Sequence, residues 1–152
     1  IGIELVNPGH RYGYKKFTKK QVSSLISLLK KMIKRHKIPK NRILGHSDVA
    51  PQRKMDPGEL FDWNYLAERD IGVWPKDQYP KSKKNHTTKS LQLMLAGIGY
   101  EINTSGKLDR QTKKVVSAFQ RHFRPKKING LFDHETVAKL LALNSQKLYR
   151  ST

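Results

Sequence analysis

The stretch GHSDVAPQRKMDPGELFDW, residues 45–63, places an imidazole, carboxylates and cations in one short segment. It follows Arg42-Ile43-Leu44-Gly45, which the pattern predicts to be a short strand. Pro51 and Pro57 restrict the backbone and would direct the neighbouring side chains. Functional residues concentrate on loops that a rigid scaffold holds in place. The stretch is therefore the first candidate for a functional site.

His46 and Asp56 are the residues of this segment with the chemistry of metal ligands. The chain has no cysteine, so a zinc site would have to use histidines and carboxylates. A histidine next to an aspartate is also commonly a structural hydrogen-bonded pair, and composition leaves both interpretations open. A catalytic zinc usually takes three protein ligands and one water, so these two residues alone leave the ligand set incomplete.

The N-terminal stretch IGIELV, residues 1–6, predicts a strand whose apolar side chains Ile1, Ile3 and Leu5 share one face. Glu4 lies between them and points to the other face. It either faces water on a half-solvated sheet or acts as a general acid and base beside a metal-bound water. A helix is predicted to begin at Thr18, because Thr18 and Gln21 have the spacing of a capping box.

The second part of the chain differs in composition from the first. Residues 75–86, PKDQYPKSKKNH, are almost free of apolar side chains and predict a linker. Apolar side chains then recur at helical spacing in three stripes. GKLDRQT at 106–112 matches GLFDHET at 130–136, where Gly allows a turn and Asp caps the next helix. We expect the histidines of these helices, His122 and His134, at the surface.

The net charge of +19, from 31 Lys and Arg against 12 Asp and Glu, favours polyanionic partners. Nucleic acid, anionic lipid and an anionic cell wall all satisfy this, and dispersed lysines also serve solubility. Aromatic residues interleaved with basic ones would indicate nucleic-acid binding, and the sequence has no such motif. We therefore expect no nucleic-acid partner.

Residues 45–63 resemble the signature of the zinc N-acetylmuramoyl-L-alanine amidases of the type 2 amidase family. IGIEL at 1–5 resembles the strand that carries their catalytic glutamate. IGVWP at 71–75 and FQRHFRP at 119–125 continue the resemblance to the AmiD-like branch, in which an amidase domain precedes a peptidoglycan-binding domain. The paired repeats are similar to that helical domain. The resemblance spans nearly the whole chain.

The resemblance implies a role for each matching residue. His46 and Asp56 are similar to two of the zinc ligands, and Glu4 is similar to the catalytic glutamate. Lys54 is similar to the lysine that stabilises the transition state, and Arg53 lies where the family contacts substrate.

One departure concerns the third zinc ligand, a histidine on a strand upstream of IGIEL in the family. Neither His10 nor His36 stands in that motif, although His10 is the local candidate. The chain opens with Ile1-Gly2-Ile3 and no initiator Met, so we expect a further N-terminal segment of the same protein to supply the ligand. A signal peptide, or an outer-membrane association through that segment, stays open.

The implied fold is an α/β amidase domain at 1–75, the C-terminal half of a mixed sheet flanked by helices. A linker at 76–86 and an all-α, three-helix peptidoglycan-binding domain at 87–152 follow. The implied reaction is zinc-dependent hydrolysis of the amide between the lactyl group of N-acetylmuramic acid and L-alanine. The substrate would be peptidoglycan or muropeptides in the periplasm of a Gram-negative bacterium. The alternative is a non-catalytic cell-wall-binding fragment of such an enzyme.

Overall fold

The computed structural model describes residues 1–76 and 85–146. The first of these ranges contains α1 (Lys19–His36), a 3-10 turn at Lys40–Arg42, α2 (His46–Val49) and α3 (Trp63–Ala67). The second contains α4 (Thr88–Gly97), α5 (Arg110–Phe123) and α6 (His134–Asn144). No helix in the described ranges has the length and apolar character needed to cross a membrane.

The predicted mixed sheet is wrong, because the described residues form helices, turns and irregular segments and contain no strand. Residues 3–6 keep the predicted alternation, since Ile3 and Leu5 pack against the core while Glu4 and Val6 are exposed, but Ile1 is exposed as well. A strand also requires a neighbouring backbone to complete its ladder of hydrogen bonds. The carbonyl of Val6 is instead bonded by a side chain, the Nε2 of Gln21, at 2.7 Å.

The second predicted strand, residues 42–45, is wrong for a related reason. Its first residue closes the 3-10 turn, and Ile43 and Gly45 are extended without forming a ladder. Apolar alternation shows which face is buried, and it does not show that a partner strand is present.

Helix α1 confirms the predicted capping box. The Thr18 hydroxyl accepts from the Gln21 amide, and the Gln21 side chain accepts from the Thr18 amide at 2.9 Å. The helix ends at His36 because Lys37 takes the left-handed conformation, with φ of 51°. Its apolar face packs on a first core, named here the N-terminal core: Leu25, Phe61, Trp63, Leu66 and Ile71.

The predicted all-α part is confirmed, with α4, α5 and α6 around a second core. This C-terminal core contains Leu91, Leu95, Val115, Phe119, Leu140 and Leu143, among others. Val73 belongs to it although it precedes the predicted linker. Most of that linker lies at 77–84, outside the described residues, so the boundaries 1–75, 76–86 and 87–152 remain predictions.

The two sequence repeats form matching turns. Asp109 and Asp133 cap α5 and α6 by accepting from the amides of Thr112 and Thr136, at 2.8 and 3.0 Å. A fully buried glutamine completes each turn. Gln92 accepts from the Gly106 amide at 2.8 Å, and Gln120 accepts from the Gly130 amide at 2.9 Å. The repeat motifs do not indicate these glutamines, because each glutamine precedes the glycine of its turn, by 14 and 10 residues.

Candidate active site

An open cavity of about 740 Å³ lies between the N-terminal stretch, α1 and the segment around 43–63. Its walls include most of the predicted site residues: Glu4, His46, Lys54 and Asp56. Apolar side chains of α1, such as Leu29 and Ile33, line another part of it. The fold therefore brings residues far apart in the sequence to one concave surface, the usual form of a small-molecule site.

His46 and Asp56 meet in this cavity. The Nδ1 of His46 lies 3.0 Å from the Oδ2 of Asp56, and both side chains are solvent-accessible. The backbone sets this register, because the amide of Ser47 donates to the carbonyl of Asp56 at 2.9 Å. The pair can bind a proton between its two atoms or present both atoms to a cation.

Gly45 shows how closely the segment is packed before His46. A Cβ at this position would lie 2.8 Å from the Cδ of Pro57 and 3.1 Å from the Trp63 ring. Only glycine avoids these contacts, so the entry to α2 is held against two rigid side chains. The direction of His46 is thereby constrained.

The other predicted residues have different positions. Glu4 is exposed and lines the cavity, and Lys54 lines it while half-buried. Arg53 is exposed and is not part of this cavity wall. The roles predicted for these three residues remain predictions, because the structure places Glu4 and Lys54 on the cavity wall and Arg53 outside it.

His10, the local candidate for a third ligand, is bound to another carboxylate. Its Nε2 lies 3.0 Å from Glu59, and its ring stacks on Tyr14 with centroids 4.3 Å apart. Partial burial raises the pKa of Glu59. The hydrogen bond to His10, a backbone hydrogen bond and the nearby charges of His10 and Arg121 together lower it by more, so that pKa lies below its usual value. Burial raises the pKa of Tyr14, whose hydroxyl donates to the Pro57 carbonyl at 2.6 Å.

His36 lies in the last turn of α1 and is exposed. His134 is exposed as predicted. The surface position predicted for His122 is wrong, because its side chain is 2% exposed. The spacing of 115, 119 and 122 on α5 follows the apolar stripe and could have indicated this burial.

His122 and Asp48 form a buried pair that joins the two described ranges. The Nδ1 of His122 lies 2.7 Å from the Oδ2 of Asp48, and the hydroxyl of Tyr100 donates to the Oδ1 of Asp48 at 2.7 Å. Asp48 belongs to α2, two residues after His46. The wall of the candidate site is therefore in contact with the C-terminal core.

Comparison with known families separates the chain into two matching regions. Residues 1–59 match the family described as N-acetylmuramoyl-L-alanine amidase, and residues 85–140 match one described as a peptidoglycan binding domain. The first region contains the cavity and the His46–Asp56 pair, and the second contains α4, α5 and most of α6.

Among proteins similar to this chain, the N-acetylmuramoyl-L-alanine amidase AmiD of Escherichia coli (strain K12) is 41% identical over 155 residues. The match covers 94% of this chain and 56% of AmiD. The chain thus spans a little over half the length of that relative.

Two solved structures are similar to the chain. AmiD from E. coli, in complex with anhydro-N-acetylmuramic acid-L-Ala-D-gamma-Glu-L-Lys, gives a TM-score of 0.79 at 39% identity, over 89% of this chain and 55% of that one. AmpDh3 from Pseudomonas aeruginosa, in complex with an anhydromuramic pentapeptide, gives 0.78 at 30% identity, over 87% and 55%. These values show that the arrangement of the described elements matches amidase-family structures.

The region that matches the amidase family provides two atoms suited to a zinc ion. Ligands of tetrahedral zinc at about 2.0–2.2 Å from the metal have donor atoms roughly 3.3 Å apart. The 3.0 Å between His46 and Asp56 is close to this separation. Within residues 1–76 and 85–146, no group of three His, Asp or Glu side chains is placed to hold a metal. The pair therefore fits two positions of a zinc site, and a third ligand is needed.

Proposed function

We propose that the protein is a zinc-dependent N-acetylmuramoyl-L-alanine amidase. Its reaction would hydrolyse the amide between the lactyl group of N-acetylmuramic acid and L-alanine. The observation that carries the proposal is the His46–Asp56 pair, 3.0 Å apart, in a cavity that Glu4 and Lys54 also line. The match of residues 1–59 to the amidase family supports the same assignment.

The proposed zinc ligands are His46, Asp56 and a histidine from another segment of the protein. The side chains of His46 and Asp56 are solvent-accessible in the cavity. A catalytic zinc site needs this access, because it keeps a position open for water or substrate, whereas a structural site is closed. When bound, zinc supplies a Lewis acid that lowers the pKa of its water ligand to about 7.

The chain's own residues then handle the proton and the developing charge. The water oxygen adds to the lactyl carbonyl carbon, and Glu4 takes the proton that this water releases. The ammonium of Lys54 donates a hydrogen bond to the carbonyl oxygen as it becomes negative. When the carbon–nitrogen bond breaks, Glu4 returns the proton to the nitrogen of L-alanine, which leaves as an amine.

The substrate class follows from the relatives and the charge. AmiD and AmpDh3 are described in complexes with anhydromuramic peptides, and the net charge of +19 favours an anionic wall or muropeptide. Arg53, exposed beside the cavity, would contact the substrate. Residues 85–140 would bind peptidoglycan, as their family match suggests. We further propose that the protein acts in the cell envelope of a Gram-negative bacterium, in wall degradation or muropeptide recycling.

The test uses the complete protein and an anhydro-N-acetylmuramyl peptide, with the products separated and identified by mass. We expect release of a peptide with a free L-alanine amine. Glu4→Gln should lower kcat by about 10²–10⁴-fold with the zinc content unchanged. Glu101→Gln, which removes an exposed carboxylate outside the cavity, is the matched control. Near wild-type turnover in Glu4→Gln would remove Glu4 from the mechanism.

A second candidate is a non-catalytic wall-binding role. It is favoured by the absence of a three-residue ligand group from the part of the chain that the structure describes. Zinc content separates the two functions, because only the enzyme needs His46 and Asp56 as ligands. A purified protein that binds sacculi, contains no zinc and leaves every substrate intact would establish the second candidate.

A further inference from the structure

Asp48 is the point at which the helical C-terminal part touches the candidate active site. Asp48 is 7% exposed, and both oxygens of its carboxylate accept hydrogen bonds. Oδ1 accepts from the Tyr100 hydroxyl at 2.7 Å, while Oδ2 accepts from the Gly45 amide at 2.8 Å and contacts Nδ1 of His122 at 2.7 Å. Two of these three partners belong to the region that matches a peptidoglycan binding domain.

His122 is held in one orientation by stacking on both sides. Its ring lies 4.0 Å from Trp63 at 16° on one side and 4.0 Å from Phe123 at 15° on the other. The carboxylate of Asp48 only accepts, so Nδ1 carries the proton and donates it. The opposite nitrogen, Nε2, is buried and has no hydrogen-bond partner among the described residues. Among the described residues, the ring therefore makes one hydrogen bond, the one to Asp48.

The Asp48 contact extends to the backbone that carries His46. Asp48 receives the amide of Gly45, the residue that opens α2, and His46 is the first residue of that helix. The next amide, that of Ser47, is bonded to the carbonyl of Asp56. A displacement of the Asp48 carboxylate would thus move the backbone of His46 and its link to Asp56 together.

We propose that His122 and Tyr100 are positioning residues that hold Asp48, and through it the His46–Asp56 pair, in the geometry required for hydrolysis. The helical part would then be a component of the hydrolytic site in addition to binding the wall. This inference rests on the proposed function for its catalytic consequence. Its structural half, the ordering of α2 by His122, can be measured without any activity.

Three substitutions separate positioning from general stability. His122→Leu removes the donor to Asp48 and keeps an apolar side chain between Trp63 and Phe123. His122→Asn retains an N–H at nearly the same distance from the backbone as Nδ1, so it should restore the bond to Asp48. His134→Ala, at an exposed histidine of the same helical part, is the matched control.

We expect His122→Leu to weaken zinc binding and to lower kcat, each by about 10–100-fold, because groups that orient metal ligands have effects of this size. KM should change less than about 3-fold, and His122→Asn should recover most of kcat. A merely structural role would lower the melting temperature and leave kcat unchanged in the folded protein at a temperature well below melting. That result would overturn the inference.

Amide hydrogen exchange of the complete protein tests the structural half independently. In His122→Leu, the amides of Gly45 and Ser47 should exchange at least about 10-fold faster than in the wild type, with the amides of α1 unchanged. Unchanged exchange at both amides would refute the inference. If exchange is faster in His122→Leu but the wild-type protein neither binds zinc nor cleaves the substrate, the proposed function is refuted and the structural half of the inference stands. If His122→Leu does not fold, the same exchange measurement is made on Tyr100→Phe, which removes the hydroxyl that donates to Asp48. Faster exchange at Gly45 and Ser47 is again expected, and unchanged exchange would refute the inference.

Discussion

Replacing Gln120 with leucine should destabilise the protein more than the same change at Gln92, its counterpart in the other repeat. Both side chains are fully buried, and each closes a turn through a glycine amide. The two glycines differ in their surroundings, because Gly130 is buried and Gly106 is exposed. When the glutamine acceptor is removed, the amide of Gly106 can donate to water instead, whereas the buried amide of Gly130 cannot.

The expected magnitudes follow from this difference. A buried donor left without an acceptor costs about 1–3 kcal/mol, whereas a solvated one costs little. Gln120 also accepts from the Asn129 amide at 2.8 Å and donates to Thr136, where the hydroxyl keeps its other partners. We expect a loss of about 2–4 kcal/mol for Gln120→Leu and about 1–2 kcal/mol for Gln92→Leu.

Urea unfolding followed by far-ultraviolet circular dichroism measures both values on the same scale. The slopes of free energy against urea must agree among the variants, so that a shift in midpoint reports stability. Gln52→Leu, on an exposed side chain, controls for the change from amide to apolar group. Equal losses for the two buried glutamines, or a loss below 1 kcal/mol at 120, would show that burial of the glycine amide does not set the cost.

Two further changes test local features of the site and the bundle. Because its folded pKa is lowered, ionised Glu59 stabilises the protein above its ordinary pKa of 4.5, and this contribution disappears as pH falls through the folded value. The difference in unfolding free energy between wild type and Glu59→Gln should therefore shrink on acidification below 4.5, and a constant difference would refute the coupling. Gly130→Ala should lower the free energy of unfolding by about 1–3 kcal/mol, since φ is 67° and the new Cβ would lie 2.8 Å from the Lys113 carbonyl. Gly2→Ala is the control, because a Cβ at that position meets open space. Equal melting temperatures for the two variants would contradict this prediction.

The contact between Asp48 and the helical part is one of several contacts that join the two regions. Val73 packs in the C-terminal core, and Trp74 packs against both cores. The carbonyl of Trp74 also accepts from Gln146 at 2.9 Å. A variant of the helical part can therefore alter the candidate active site without lying in the cavity.

The helices of this protein could be predicted because their signals are local. The capping box of Thr18 and the Asp caps of the two repeats each involve residues three apart in the sequence. The two strands predicted at residues 1–6 and 42–45 were wrong, because their pattern was only half of what a strand requires. Alternation at residues 1–6 correctly identified Ile3 and Leu5 as side chains that pack against the core, but a strand also needs a partner that no local pattern contains.

The sequence by itself determined the helix starts at Thr18, Asp109 and Asp133, the residues of the 45–58 segment and its resemblance to a family. These depend on local backbone chemistry and on the order of side chains along a short stretch. Only the tertiary structure decided that His10 binds Glu59 and that His122, 74 residues from Asp48, completes its hydrogen bonds. The reason is physical: burial and hydrogen bonding between distant residues depend on how α5 packs against α2, and that packing arises from the two cores together.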